Sequence, residues 1–136
     1  MPEGFLFDTV TCSRWRRGDR MLRQRVVALP ADAILYTSVV SVGELAFGIR
    51  KAPNEYRERL QQRTQEMLTR FHSILDVTYA VAETYGTIVA QVPPGYHIGQ
   101  NDYWIAAIAL THDLVLLTND PDFDRVPALQ KENWLA

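Results

Sequence analysis

The sequence predicts an α/β fold built around a mainly parallel sheet. Three observations predict it. Strand-like and helix-like segments alternate along the chain instead of falling into blocks. The runs Phe5-Leu6-Phe7 and Leu114-Val115-Leu116-Leu117 are short and continuously apolar, as in strands buried on both faces. Acids follow these runs at Asp8 and Asp120, where the strands of an open α/β sheet end and its ligand crevice opens.

The elements follow in order. A strand near 4–8 leads to a helix near 13–28, in which Trp15, Met21, Leu22, Val26 and Leu29 roughly follow a helical stripe. A strand near 34–38 precedes a helix starting near Ser41 and ending by Gly48 and Pro53. Residues 54–72 carry Tyr56, Leu60, Met67, Leu68 and Phe71 on one side and alternating charges on the other, the pattern of the longest helix. Ile74 to Thr78 make a third strand and 79–92 another helix, which Pro93-Pro94-Gly95 stops. Asp102 opens a helix through Leu110 with Trp104, Ile105, Ile108 and Ala109 on its apolar face. A strand at 114–118 and a short strand or turn near Trp134 complete the chain.

Length and composition fit this outline. The 136 residues, 47% of them hydrophobic, are expected to form a single domain over 1–136 with a core that needs no disulfide. The lone Cys12 has no intramolecular partner, and no stretch reaches the roughly 18 apolar residues of a membrane span. A cytoplasmic protein without membrane attachment is the expectation.

The net charge of −2 excludes a uniformly basic surface, yet charge is unevenly distributed. Residues 14–25 hold Arg14, Arg16, Arg17, Arg20, Arg23 and Arg25 against Asp19 alone. Such a run either solvates a helix face or positions a polyanion. Arg14, Arg16 and Arg17 are the candidates for contacts to the phosphates of such a polyanion, which add affinity without sequence information.

Four acids define the candidate site: Asp8, Glu44, Asp102 and Asp120. Each also has an ordinary structural role open to it. Asp8 caps a helix, and Asp120 sits in the turn-like Asn119-Asp120-Pro121-Asp122. Glu44 stands three residues after Ser41 as in a capping box, and Asp102 complements a helix dipole. Their joint placement favours metal chemistry, since Mg2+ takes oxygen ligands and is held by few carboxylates together with water and phosphate. His72, His97 and His112 lack metal-ligand spacing and stay outside the site. Tyr96 and His97 precede Asp102 in a loop where an aromatic can stack on an unpaired base, though loop packing is the simpler role.

Four segments together resemble the motifs of PIN-domain nucleases, most closely VapC-like toxins. They are Phe5-Leu6-Phe7-Asp8-Thr9, Ser38-Val39-Val40-Ser41-Val42-Gly43-Glu44-Leu45, the run Asn101-Asp102-Tyr103-Trp104-Ile105-Ala106-Ala107-Ile108-Ala109-Leu110, and Leu117-Thr118-Asn119-Asp120-Pro121-Asp122-Phe123. The resemblance implies a three-layer α/β/α sandwich and a metal-dependent endoribonuclease using Mg2+ or Mn2+. By position it makes Asp8, Glu44, Asp102 and Asp120 the catalytic and metal-binding acids, with Glu44 binding metal through water or orienting the nucleophile. Thr118 and Asp122 become supporting residues. It further implies an RNA substrate and a small protein antitoxin, and is compatible with a homodimer.

One position departs from that pattern: the family commonly has Asp-Thr-Asn where this chain has Asp8-Thr9-Val10. Val10 supplies no amide hydrogen bonds, which leaves Thr11 or Ser13 to hold the neighbouring backbone. Two other readings come with it. A catalytically silent PIN-like RNA-binding or regulatory domain would bind without cutting. Asp8-Thr9-Val10-Thr11 also resembles the start of a haloacid-dehalogenase-type phosphatase, except that Val10 replaces that family's second aspartate.

Overall fold

A computed structural model describes residues 4–136, so Met1–Glu3 of the expected domain lie outside the described residues. Five strands form one sheet: β1 (Gly4–Phe7), β2 (Ile34–Ser38), β3 (Ser73–Leu75), β4 (Val115–Leu117) and β5 (Lys131–Glu132). Their order is β3-β2-β1-β4-β5 and every pairing is parallel. The chain therefore winds outward from β1 in one direction through β2 and β3, then in the other through β4 and β5. The reversal falls between β1 and β4, in register as Phe5↔Val115, Leu6↔Leu116 and Phe7↔Leu117.

Successive side chains of a strand point to opposite faces, and this alternation divides the core in two. Leu6 and Leu116 pack with Val81, Ile88, Ile105 and Ile108, from α5 (Tyr79–Gln91) and α6 (Gln100–Thr111). Phe5, Phe7 and Leu117 pack with Cys12, Trp15, Leu22, Leu45 and Met67, from α1 (Thr9–Arg16), α2 (Arg20–Val27), α3 (Val39–Lys51) and α4 (Asn54–Leu68). Helices thus cover both faces, giving the predicted three-layer α/β/α sandwich. Among the described residues no helix is long and apolar enough to cross a membrane.

Several boundaries differ from the sequence expectation. The helix expected at 13–28 is two helices, because Gly18 adopts φ +80° and Asp19 caps a new start by accepting from Leu22 N–H at 3.0 Å. Only Trp15 and Leu22 of its expected stripe are buried, while Met21 is exposed. Glycine alone takes that left-handed conformation without a Cβ penalty. Gly18→Ala is expected to destabilise the protein by about 1 kcal/mol, read as a lower urea midpoint at unchanged m value.

The helix expected near Ser41 begins at Val39, with the Ser38 hydroxyl accepting from Ser41 N–H at 3.2 Å. Ser41 is thus not the cap, and Glu44 lies within the helix instead of closing a capping box. This helix runs past Gly48 to Lys51, where the Arg57 guanidinium donates to the carbonyls of Arg50 and Ala52 at 3.0 and 3.1 Å.

The longest helix stops at Leu68 instead of His72, and the ensuing turn sends Phe71 into the core while His72 N–H bonds Leu35 carbonyl at 2.8 Å. Tyr56, expected on the apolar side, is 57% exposed. β3 is shorter than the expected 74–78 because Thr78 caps α5, accepting from Val81 N–H at 3.2 Å. α6 begins two residues before Asp102, which sits in its first turn.

Candidate active site

Four elements deliver four acids to the carboxyl ends of the central strands. Asp8 leaves β1 and caps α1, its Oδ1 accepting from Thr11 N–H at 2.8 Å. Its own N–H bonds Leu117 carbonyl at 3.2 Å, which ties it to the end of β4 across the reversal point. Asp120 follows β4 and caps a 3-10 turn at Pro121–Arg125, accepting from Asp122 N–H at 2.9 Å. Both acids therefore do fill the capping roles open to them in sequence. Capping uses one oxygen of each carboxylate and leaves the other available.

Thr118 joins these two. Its hydroxyl accepts from Asp120 N–H at 3.0 Å, and it lowers the pKa of Asp8. Asp8 is only 4% exposed, and burial raises its pKa above 3.8 against the lowering effect of hydrogen bonds from Thr118 and Thr11, with nearby Asp120 adding to the rise.

Asp102 and Glu44 face this pair from the neighbouring helices. Burial pushes the Asp102 carboxyl up to about 6, and the negative charges of Asp120, Glu44, Asp8 and Asp122 add to the effect. All four other acids thus lie within electrostatic reach of Asp102. The Glu44 carboxylate is held from outside its own helix: Oε1 accepts from the Thr9 hydroxyl at 2.5 Å, and that hydroxyl lies 3.0 Å from Ser41 Oγ. Asp122 stands at the rim and pairs with Arg125 at 3.3 Å.

The Val10 departure is accommodated locally. Val10 is 44% exposed, while Thr11 supports the cradle with its backbone N–H on Asp8 and its hydroxyl on Leu117 carbonyl at 2.9 Å. Ser13 is engaged elsewhere, accepting from Arg16.

The arginine candidates are not brought to the acids. They occupy the far end of α1, roughly 12 Å of helix from Asp8. Arg14 pairs with Asp19 at 3.1 Å, Arg16 donates to Thr64 Oγ1 at 3.1 Å, and Arg17 faces solvent. The histidines stay outside the site; His72 meets the edge of Tyr36. Tyr96 is exposed, with Arg125 4.4 Å above its ring.

The donor set fits a hard divalent cation. Every candidate ligand is a carboxylate oxygen, and mutual repulsion that lifts Asp102 is relieved by a dication. Among the described residues no three His, Cys, Asp or Glu side chains form a ready-made metal cage. Mg2+ is held by one or two carboxylates and completes its shell with waters and substrate phosphate oxygens. Thr9 and Ser41 are the supporting residues that sequence reasoning missed; the Asp8-Thr9 pair was the signal for the first.

Comparison with known proteins gives a consistent picture. The family model described as PIN domain matches residues 5–129. Ribonuclease VapC2 of Haemophilus influenzae is 39% identical over 100 residues, spanning 72% of this chain and 74% of that protein. The structure of VapBC2 from Rickettsia felis bound to a DNA fragment from its promoter superposes with TM-score 0.87 at 25% identity, covering 96% of this chain and 98% of that one. A toxin–antitoxin complex from Klebsiella pneumoniae gives TM-score 0.67 at 26% identity over 91% and 93% of the two chains.

Proposed function

Because the chain belongs to the PIN domain family, we propose that it is a metal-dependent endoribonuclease, the toxin of a toxin–antitoxin pair, acting as a single cytoplasmic domain that a small protein antitoxin holds in check. The observation that supports this reading is the Asp102 carboxyl near the sheet's reversal point, which burial pushes up to about 6 with the charges of Asp120, Glu44 and Asp8 adding to the rise. The relatives named as ribonucleases and the toxin–antitoxin complex of similar fold support the substrate and the partner. Family membership also sets aside the phosphatase reading.

In the proposed reaction water attacks the scissile phosphodiester and the P–O bond to the leaving oxygen breaks. Mg2+ or Mn2+, when bound, supplies the Lewis-acid charge that activates water and stabilises the extra negative charge on phosphorus oxygens. Asp8, Asp102 and Asp120 would hold the metal through their oxygens. Thr118 fixes the Asp120 backbone by accepting from its N–H, and Asp120 and Asp8 each cap the element that follows them. Glu44, with Oε1 fixed by Thr9, uses Oε2 to orient the attacking water and receive its proton. A proton returned to the leaving oxygen completes the hydrolysis.

The test is cleavage of total cellular RNA by the purified protein. Discrete cuts are expected in Mn2+ or Mg2+, lost in EDTA and recovered when metal is restored. Binding without cuts in either metal would replace the ribonuclease with a silent RNA-binding domain.

A further inference from the structure

The 3-10 turn that Asp120 caps does not pack tightly against the strand beside it. A cavity of ≈ 160 Å³ is lined by Asp120 and Pro121 from the turn and by Glu132 and Asn133 from the strand side, which leaves the turn room to shift. Its placement decides where the Asp120 carboxylate points, because Asp122 N–H grips Oδ1 at 2.9 Å and the two move together. Buried Phe123 pins the middle of the turn to the core, and Arg125 reaches the ring of Tyr96 on the loop before α6. Among the described residues, the one ion pair from the turn to the sheet is that of Asp124 with Lys131 of β5.

β5 is short but firmly held. The carbonyls of Gln130 and Glu132 accept from Leu116 and Thr118 N–H at 2.9 and 3.0 Å. Glu132 faces α2, where its Oε1 lies 3.0 Å from Trp134 Nε1 and 3.3 Å from Arg25 Nη2, and the buried indole meets the Phe5 ring at 4.9 Å. Lys131, one residue earlier, points to the other face and the turn.

We propose that Lys131 is a positioning residue for Asp120: its ion pair with Asp124 ties the turn to the sheet and so holds the Asp120 carboxylate at the acid site. The proposal rests on the metal-dependent ribonuclease reading, in which Asp120 is a ligand. A lysine near several acids has a simpler role open to it, damping their field, and the two roles differ in sign. A cation that only damps the field opposes metal binding, so its removal tightens binding. A cation that positions a ligand favours metal binding, so its removal loosens it.

The experiment measures Mn2+ affinity of the purified chain by calorimetry, beside cleavage of an RNA that the parent cuts. Lys131→Met, which keeps the aliphatic stem, is expected to raise the Mn2+ Kd about fivefold, the equilibrium shift that one exposed ion pair supplies, and to lower kcat/KM by at least that factor. A melting temperature in EDTA within about 4 °C of the parent shows that the fold is kept. Asp124→Asn should act in the same direction, and the double variant should lose little more than either single change. The swapped pair, Lys131→Asp with Asp124→Lys, should recover most of the affinity. Double variant and swap both keep the parent's net charge, so the difference between them reads the pair itself.

Unchanged or tighter Mn2+ binding in Lys131→Met, or a swap no better than the double variant, would overturn the positioning role alone. Unchanged Mn2+ binding with a raised KM and a shallower salt dependence would assign Lys131 to a substrate phosphate instead. A parent that neither binds Mn2+ nor cuts RNA overturns the ribonuclease reading, and the positioning role with it.

Discussion

Asp102→Asn is expected to cleave RNA about 10³-fold more slowly than the parent in Mn2+ or Mg2+, and yet to melt at a higher temperature in EDTA at pH 7. The two effects share one cause. Burial, with the charges of Asp120, Glu44, Asp8 and Asp122 adding to it, pushes the Asp102 carboxyl up to about 6 in the fold against 3.8 for an unperturbed group. Below pH 3.8 the proton is bound in both the folded and unfolded chain, and the group is neutral to stability. Between 3.8 and about 6 the unfolded chain releases a proton that the folded chain still holds, so stability falls as pH rises. Above 6 the full penalty is present. Discounted for partial exposure it is on the order of 1–2 kcal/mol, or several degrees in Tm.

The amide carries no charge and escapes this penalty. The thermal advantage of Asp102→Asn in EDTA should therefore be clear at pH 7 and vanish by pH 4. Adding Mn2+ should narrow or reverse it by stabilising the parent, since a ligand bound by the native state alone shifts its melting. Full cleavage activity in the variant would remove Asp102 from the metal site, and an advantage of equal size at both pH values would remove the charge field as its cause.

Phe7→Ala should cost about 3–5 kcal/mol, the range for deleting a fully buried ring, and that is a large part of the roughly 5–15 kcal/mol that holds a domain together. Phe7 is completely buried. Its ring centre lies 4.9 Å from that of Trp15 and 5.0 Å from that of Phe71, which join α1 and the turn after α4 to the sheet. Phe7 also immediately precedes Asp8, so the cavity opens under the site. The urea midpoint by circular dichroism measures the loss. Phe7→Leu, which refills most of the volume, should recover more than half of it, and an alanine variant within 1 kcal/mol of the parent would show that the cluster collapses around the gap.

The strands nearest the site were legible because their residues carry one signal each: Phe5-Leu6-Phe7 and Val115-Leu116-Leu117 are apolar on both faces and end beside acids. The missed features depend on partners that local spacing does not reveal. Ser41 to Glu44 has capping-box spacing, but Ser38 is the cap and Glu44 is held by Thr9, 35 residues earlier. The apolar spacing of Trp15, Leu22 and Val26 continues across Gly18, and it outweighed the Gly-Asp pair that breaks the helix. The short strand or turn expected near Trp134 is β5, two exposed polar residues that form a strand because β4 offers them an edge. The arginine run reads as a polyanion surface in sequence, while in the fold Arg14 and Arg16 are bound to Asp19 and Thr64 and stand away from the acids.

The central position of β1 has a consequence for the order in which a ribosome releases the chain. β1 pairs on one side with β2, about thirty residues later, and on the other with β4, which carries Val115 opposite Phe5. Until β4 emerges, one edge of β1 has no neighbour. Asp8 then lacks Leu117 carbonyl for its N–H, and neither Thr118 nor Asp120 exists beside it. A nascent or truncated chain ending before Val115 is consequently unable to assemble the acid site, and exposes a bare apolar strand edge of the kind that chaperones and proteases recognise. Assembly of the acid site thereby waits for β4 and the acid that follows it, by topology alone.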